Sequence, residues 1–211
     1  MKNTPLILTL LLCLLLPSVG CTFSANSTDY QSVTTLDIAK LIDKGTLAEE
    51  FCRSKKYNTD YCFLADMSVH SGLKRLFLWN FKTDTIEKSF LLGHGCGQSY
   101  WSYDFSKSNP TFSNEANSHC SSLGKYKIGE RGYSNWGIHI KYLLYGLDAS
   151  NSNALSRQIV FHSWDEMSDV EVYPDGSPEG WGCPTVSNTA MKEIDEKLKA
   201  TQKPVLLWMF D

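Results

Sequence analysis

The hydrophobic pattern of the chain begins, after an apolar leader, with two short segments of helical spacing. The first runs from Leu36 to Ile42 and the second from Leu47 to Cys52, with apolar residues three or four positions apart. Gly45 lies between them, and glycine is unfavourable inside a helix. The pattern therefore predicts two short amphipathic helices that are separated at this glycine.

Beyond Cys62 the spacing changes to that of β-strands. Three strands are predicted before a polar loop from Gly97 to Ser118, whose length is typical of a binding or lid segment. Three more strands follow; Gly129 and Gly132 separate the first two, and the third leads directly to His162. The predicted strands cover residues 63–69, 75–80, 86–92, 125–128, 136–144 and 157–161.

The C-terminal part of the chain carries the clearest helical pattern. Met191, Ile194 and Leu198 lie on one face of a predicted helix over residues 189–201, and a buried strand follows over residues 204–210. Many strands with one late helix predict a mainly β fold. The roughly 176 residues from 36 to 211 suit a single domain with its own core.

The residues before this domain have the composition of an export signal. Lys2 is followed by an apolar run to Leu16 and then by small residues, which predicts a signal peptide over residues 1–20. The apolar run is shorter than the roughly 20 residues that a membrane-spanning helix needs. The next segment is rich in Ser, Thr and Asn, so residues 21–35 are predicted to form a flexible tether.

Cys21 allows two interpretations of how the leader is processed. In one, ordinary cleavage occurs just before Cys21, after the small residues Ser18 and Gly20. In the other, which we favour, Ser-Val-Gly-Cys resembles a bacterial lipobox, although Ser18 occupies a position where leucine is usual. Cys21 would then carry a lipid that anchors the protein to a membrane.

The cysteine count bears on both redox state and chemistry. The chain has seven cysteines; Cys13 lies in the leader, and five remain if Cys21 is lipidated. An odd number in an exported domain implies one free thiol. We hypothesise a local disulfide between Cys52 and Cys62 and a second between Cys96 and Cys120, which leaves Cys183 free.

The segment from His162 to Cys183 contains the candidate chemistry. A histidine ends an apolar run, a loop rich in proline and glycine follows, and Cys183 lies between Gly182 and Pro184. A nearby imidazole is a common means of activating a thiol, and it would lower the pKa of Cys183 below about 8.5. Backbone N–H groups in this glycine-bounded turn could form an oxyanion hole. The alternative is a buried or disulfide-bonded cysteine and a core histidine.

Charge and histidine spacing exclude other functions. The net charge is −3, and the calculated isoelectric point near 6.0 gives no basic surface for nucleic acid. The five histidines are scattered, without Cys-x-x-Cys or His-x-x-x-His spacing, so neither a metal nor another cofactor is predicted.

Six segments, in order, resemble the L,D-transpeptidase catalytic domain (YkuD-like), in the branch of exported bacterial proteins and lipoproteins. The resemblance covers essentially the chain from Cys52 to Trp208. The resemblance implies a single catalytic domain of the β-sandwich type over residues 36–211. The matching stretches are DMSVHSGLKRLFLWN (66–80), GHGC (93–96), FSNEANSHCSSLGKYKIGE (112–130), GLDASNSNALSRQIVFHS (146–163), GCPTVS (182–187) and KPVLLW (203–208).

By this resemblance Cys183 matches the family nucleophile and His162 the family histidine. It implies a cell-envelope enzyme whose Cys183 forms an acyl-enzyme with a peptidoglycan stem peptide, while His162 acts as base and then as acid. The N–H groups of Cys183 and Gly182 would stabilise the oxyanion. Gly180 stands where the family usually has serine, and no arginine follows Cys183 closely.

Four residues are candidates for substrate binding. Arg157, on the predicted strand before His162, is a candidate for carboxylate recognition or else a solvated edge charge. Trp181 is a candidate cleft wall or else core packing, and Ser163 or His139 could assist the histidine. Two alternative functions stay open, a hydrolase on the same fold (an L,D-carboxypeptidase or amidase) and a non-catalytic peptidoglycan-binding lipoprotein.

Overall fold

The computed structural model describes residues 36–211. The predicted signal peptide, the tether and Cys21 lie outside the described residues. Within the described part, we find no helix that combines the length and the hydrophobicity needed to cross a membrane.

The mainly β class with one late helix is confirmed. The eight strands found within residues 36–211 belong to one mixed sheet with the order β3-β2-β1-β8-β4-β5-β6-β7. A short 3-10 turn at Ala149–Asn151 precedes β6. The elements are α1 (Ile38–Lys55), β1 (Tyr61–Asp66), β2 (Leu76–Asn80), β3 (Thr85–Phe90), β4 (Gly124–Tyr133), β5 (Ile140–Gly146), β6 (Val160–Ser163), β7 (Thr185–Val186), α2 (Asn188–Lys199) and β8 (Val205–Phe210).

The N-terminal helical region is one continuous helix, so the prediction of two short helices was wrong. Helix α1 begins at Asp37, whose side chain accepts a hydrogen bond from the Lys40 N–H (3.0 Å), and it passes through Gly45 without a break. A Cβ atom at Gly45 would lie 2.4 Å from Nε1 of Trp79. The glycine therefore serves close packing of the helix on the sheet, and this tertiary contact outweighs its low helix propensity.

Strand β8 forms the centre of the sheet and is buried along its whole length. It pairs in parallel with β1 and antiparallel with β4. Because side chains alternate along a strand, Leu207 packs in one core cluster with Met191 of α2, whereas Leu206 packs in another with Leu41 of α1. The two faces of the sheet thus each receive one helix.

Strand β4 also differs from its prediction. It runs through Gly129 and Gly132, with an irregular register between Ile128 and Arg131. A Cβ atom at Gly129 would lie 2.4 Å from the ring of Tyr145, so this glycine marks close approach inside a strand. Residues 136–139 form a turn, and β5 begins only at Ile140.

The edge formed by β5, β6 and β7 brings distant parts of the chain together. Lys141 pairs with His162 across the antiparallel β5–β6 pair, and His162 pairs with Thr185 across the parallel β6–β7 pair. Residues 91–123, which contain no helix or strand, cross this region through a bridge between Gly95 and Gly180. The segment before β7, which carries Cys183, is therefore held beside His162 by long-range pairing.

Candidate active site

Cys183 and His162 both line a cavity of about 590 Å³ at this edge of the sheet. The residues that line it come from the long loop after β3, from β5 and the turn before it, from β6 and its two flanking segments, and from β7 and the segment before it. Besides the cysteine and the histidine, its side chains with prominent charge or aromatic surface are Lys141, Arg157, Trp101, Trp136, Trp164 and Trp181.

The imidazole of His162 is oriented by its own strand. Nδ1 lies 2.8 Å from the backbone carbonyl of Ser163, to which it donates in the neutral ring, and this leaves Nε2 as an acceptor. Burial lowers the pKa of His162; the bond to Ser163 opposes this effect and the charge of Lys141 adds to it. His162 is therefore a neutral base at pH 7.

The thiol of Cys183 is held by the backbone of the strand that carries the histidine. Its Sγ accepts a hydrogen bond from the Val160 N–H at 3.4 Å. Burial raises the pKa of Cys183, while the Val160 N–H and the charges of Arg157 and Lys141 act in the opposite direction without overcoming it. This direction is opposite to the expected lowering of the thiol pKa. The resting pair consists of a neutral thiol and a neutral imidazole.

Gly182 gives the segment that carries Cys183 its backbone conformation. Its φ of +98° lies in a region that L-residues rarely adopt, and a Cβ atom would lie 2.4 Å from the carbonyl oxygen of Cys120. The Gly182 carbonyl accepts a hydrogen bond from the Ser121 hydroxyl at 3.1 Å. Among the described residues, the N–H groups of Gly182 and Cys183 have no hydrogen-bond partner. Two donors are thus available for an oxyanion.

Arg157 lies in the turn before β6 rather than on the strand, because β6 begins at Val160. The two Nη atoms of its guanidinium group make four hydrogen bonds, all to uncharged oxygens of the loop between β3 and β4. This arginine therefore fastens the long loop beside the cavity. The acceptors are the carbonyl of Ser113 (2.8 Å), the hydroxyls of Ser122 (2.6 Å) and Ser118 (3.2 Å), and the carbonyl of Cys120 (2.7 Å).

Trp181 belongs to a group of aromatic side chains at the mouth of the cavity. It is 63% exposed and stacks on His119, with ring centroids 5.3 Å apart. Trp101, from the long loop, stacks on Trp164 at 5.3 Å and lies 6.4 Å from Trp181. The sequence indicated the loop as a binding segment, but gave no reason to place Trp101 beside the nucleophile.

Ser163 and His139 are not among the residues that line the cavity. The Ser163 hydroxyl is buried and accepts a hydrogen bond from the Ile138 N–H at 3.0 Å. His139 has a positive φ of 62°, and its ring stacks on Tyr133 with centroids 5.3 Å apart. Ser163 thus acts on the histidine only through its backbone carbonyl, and His139 helps to shape the turn before β5.

A polar network of the buried Arg75, His94 and Glu179 with the half-buried Ser106 leads to the segment that carries Cys183. Nη2 of Arg75 lies 2.6 Å from Nδ1 of His94, which must accept because a guanidinium group only donates. Nε2 of the neutral imidazole then donates to the Ser106 hydroxyl (2.6 Å), which in turn donates to Oε1 of Glu179 (2.7 Å). Since Glu179 precedes Gly180, the network ends close to the nucleophile.

The protonation states of this network follow from its partners. Burial lowers the pKa of His94; the contact with Glu179 opposes this effect and the charge of Arg75 adds to it. Burial acts to raise the pKa of Glu179, but its bonds with His94 and Ser106 outweigh that effect and the pKa is lowered. A cation and an anion are therefore joined through a neutral histidine.

The cysteines within residues 36–211 are all free thiols in the structure. Cys52 and Cys62 lie in the same core cluster, and burial raises the pKa of Cys52 to about 12. The backbone of Cys120 lies against Gly95, the residue before Cys96. The two disulfide pairings therefore stay predictions, each between cysteines in the same part of the fold.

The described residues contain no group of three or more His, Cys, Asp or Glu side chains with an arrangement suited to a metal ion.

The model of the L,D-transpeptidase catalytic domain family matches residues 34–208. No curated protein matches the sequence at a significant level.

Two solved proteins are similar in fold. Bd1075 of Bdellovibrio bacteriovorus is 15% identical over 74% of this chain and 49% of its own, with a TM-score of 0.43. The K307A variant of the helical cell shape determining protein Pgp2 of Campylobacter jejuni is 10% identical over 79% of this chain and 56% of its own, with a TM-score of 0.46. The chain thus spans about half the length of these structures.

Proposed function

We propose that this chain, which belongs to the L,D-transpeptidase catalytic domain family, is a cysteine transpeptidase that acts on peptidoglycan stem peptides in the bacterial cell envelope. One observation carries the proposal beyond family membership. Cys183 and a neutral His162 line the same cavity, next to two backbone N–H groups without partners among the described residues. These are the nucleophile, the base and the oxyanion donors that acyl transfer requires.

Acylation begins from the neutral pair. As the sulfur of Cys183 attacks the carbonyl carbon of an L-residue, the thiol proton passes to Nε2 of His162. The N–H groups of Gly182 and Cys183 stabilise the negative charge that develops on the carbonyl oxygen. The imidazolium then donates its proton to the amine of the departing D-residue, the C–N bond breaks, and a thioester remains on Cys183.

Deacylation repeats these steps with an acceptor. An amine attacks the thioester, His162 removes a proton from it, and the sulfur leaves and recovers a proton. The product is a new amide, either a crosslink or an attached protein. If water takes the place of the amine, the same residues perform L,D-carboxypeptidase or amidase chemistry.

The cellular location follows from the family and from the leader. A domain that acts on peptidoglycan works in the cell envelope, and the predicted signal peptide supports export to the periplasm. With a lipid on Cys21 the protein is anchored to a membrane, the outer membrane included. The mass of the mature N-terminus, measured after export, distinguishes a lipid-modified Cys21 from an unmodified one.

The test follows the acyl group on the protein. The mature protein is incubated with a synthetic stem tetrapeptide, with and without an acceptor amine, and its peptides are analysed by mass spectrometry. We expect a thioester adduct on Cys183 and, with the amine, a transfer product. Cys183→Ala should lose both, while Cys52→Ala, changed at a cysteine in the α1 region, should keep both.

Other outcomes of this experiment would identify one of the two alternative functions. An adduct that gives only hydrolysis product, even with the amine present, identifies a carboxypeptidase or amidase. Binding to isolated peptidoglycan without adduct or turnover identifies a binding lipoprotein. Full turnover by a folded Cys183→Ala protein would refute the cysteine mechanism.

A further inference from the structure

The cavity differs in charge from the protein as a whole. The chain carries a net charge of −3, yet the residues that line this cavity include two permanent cations, Lys141 and Arg157, and no aspartate or glutamate. The base His162 is neutral. A cavity lined in this way attracts a negatively charged ligand.

The two cations are not equivalent. Both Nη atoms of Arg157 are occupied by their four bonds to the long loop. By contrast, Nζ of Lys141 forms neither a hydrogen bond nor an ion pair with any residue of the part from 36 to 211. Lys141 is therefore the cation of the cavity whose charged group has no partner among residues 36–211, whereas Arg157 keeps only its Nε–H for a ligand.

The position of Lys141 is fixed by the sheet. It lies directly opposite His162 in the β5–β6 register, so the two side chains share a face of the sheet. Side chains in such a pair have Cβ atoms about 4.5–5.5 Å apart. An anion bound to the Lys141 ammonium is thus held beside the catalytic base, within reach of the reacting bond.

We propose that Lys141 is a specificity-determining residue that binds a carboxylate of the donor stem peptide. The proposal rests on the function proposed above, and it names the group of the substrate that the cavity recognises. An ammonium group on a flexible stem offers three donors to a carboxylate without demanding one fixed geometry. In a stem tetrapeptide with lysine as its third residue, two carboxylates qualify, the one at the free C-terminus and the one on the internal γ-linked D-residue.

The test measures binding without turnover. Calorimetric titrations use the Cys183→Ala protein and three synthetic tetrapeptides: the parent with both carboxylates, one amidated at the C-terminus, and one amidated at the internal D-residue. Each is titrated into the Cys183→Ala protein alone and with Lys141→Gln or Lys141→Arg added. Lys127→Gln is the matched control, because Lys127 is also half-buried on the sheet but does not line the cavity.

We expect Lys141→Gln to weaken binding of the parent peptide about 10- to 100-fold, the loss typical of one hydrogen bond to a charged group. Lys141→Arg keeps most of the affinity and Lys127→Gln keeps all of it. One of the two amidated peptides should bind the Lys141 protein as weakly as the parent binds Lys141→Gln, with no further loss when both changes are combined. That peptide identifies the carboxylate.

Three results would overturn the proposal. The first is equal affinity of the Lys141 and Lys141→Gln proteins for the parent peptide. The second is a loss of affinity on amidation that simply adds to the loss caused by Lys141→Gln. The third is the absence of measurable binding of the parent peptide at millimolar concentration. The proposed function fails separately, through the absence of an adduct on Cys183. A carboxylate-binding Lys141 in a protein without turnover would therefore be recognised as such.

Discussion

Two groups of charged side chains flank the segment that carries Cys183, and they are partnered in opposite ways. Behind it, the fully buried Arg75 and Glu179 are joined through His94 and Ser106. In front of it, Lys141 faces the cavity without a partner among residues 36–211. Burying an unpaired charge is costly, so removing either charge of the rear group should destabilise the fold. The charge of Lys141 is left to pair with a bound ligand.

The rear network also fixes the backbone beside the nucleophile. The Gly180 N–H donates to the His94 carbonyl at 2.7 Å, and the Cys96 N–H donates to the Gly180 carbonyl at 2.7 Å. The chain immediately before Trp181 is thus attached on both sides to the loop after β3. The rear group supplies rigidity, and the cavity supplies recognition.

The largest expected effect is a fall in the free energy of unfolding when the rear group loses one of its two charges. Arg75→Met removes the buried cation and leaves Glu179 without its counter-charge, which should lower the free energy of unfolding by about 3–5 kcal/mol. Denaturant titration measures the loss. Lys88→Met, which removes a solvent-exposed ion pair with Glu193, should cost no more than about 1 kcal/mol.

A double variant tests whether the two buried charges act as a pair. Arg75→Met combined with Glu179→Gln should cost less than the sum of the single changes, because no unpaired charge is left. Strict additivity of the two losses would contradict the coupling through His94.

A smaller loss of stability is expected at Arg157, which holds the long loop beside the cavity. Arg157→Gln loses several hydrogen bonds to the long loop, and we expect a loss of about 1–3 kcal/mol in stability. Because this arginine positions the loop, kcat/KM should fall equally for the parent and the amidated peptides. Lys141→Gln should show the reverse: it should leave stability unchanged and lower kcat/KM for the parent peptide, but not for the amidated peptide that lacks the recognised carboxylate. A carboxylate-dependent effect at Arg157 would transfer the recognition role to it.

The pH dependence of kcat/KM tests whether Cys183 and His162 are both neutral before the reaction. His162 must be unprotonated to accept the thiol proton, and its pKa is lowered from 6.5, so the acid limb of kcat/KM should lie below pH 6.5. The pKa of Cys183 is raised from 9.0, so the alkaline limb should lie above pH 9. Lys141→Gln removes a charge that lowers the pKa of His162, and the acid limb should move to higher pH. An acid limb above pH 7 in the parent protein would contradict this account.

The smallest effect is expected at the mouth of the cavity. Trp181 is mostly exposed, so Trp181→Ala should change stability by no more than about 0.5 kcal/mol while raising the KM for the donor peptide several-fold. Tyr100→Ala is the control, since Tyr100 is 78% exposed and does not line the cavity. Equal KM values for the two variants would remove Trp181 from the binding surface.

Local patterns predicted the elements whose own sequence decides their structure. Helix α2 has its apolar residues on one face, and β8 is a short apolar run, so both were confirmed close to their predicted bounds. The predictions at Gly45 and Gly129 were wrong, because each glycine is in close contact with a side chain far away in sequence. Gly45 lies against Trp79, and Gly129 lies against Tyr145. When only neighbouring residues are considered, a glycine predicts a break in a helix or strand. The tertiary contacts show that these two glycines instead allow another side chain to pack closely against the backbone.

The candidate site divides in the same way. The motif around Cys183 and the apolar strand before His162 identified the two residues that the structure brings into one cavity. Lys141 had no such signal, because its importance comes from the strand register that sets it opposite His162. Arg157 was placed on a strand that starts three residues later, and no sequence pattern indicates the four acceptors of its guanidinium group.

The bridge between Gly95 and Gly180 and the contact of Gly182 with the carbonyl of Cys120 have a consequence for the order of folding. Both join parts of the chain that are far apart in sequence, and closing such large loops is slow compared with forming a helix or a hairpin. The turn that carries Cys183 should therefore acquire its geometry after the local β4–β5 hairpin has formed. In a partly folded chain this position is an ordinary cysteine, and the surroundings that would make it a nucleophile are completed only late in folding.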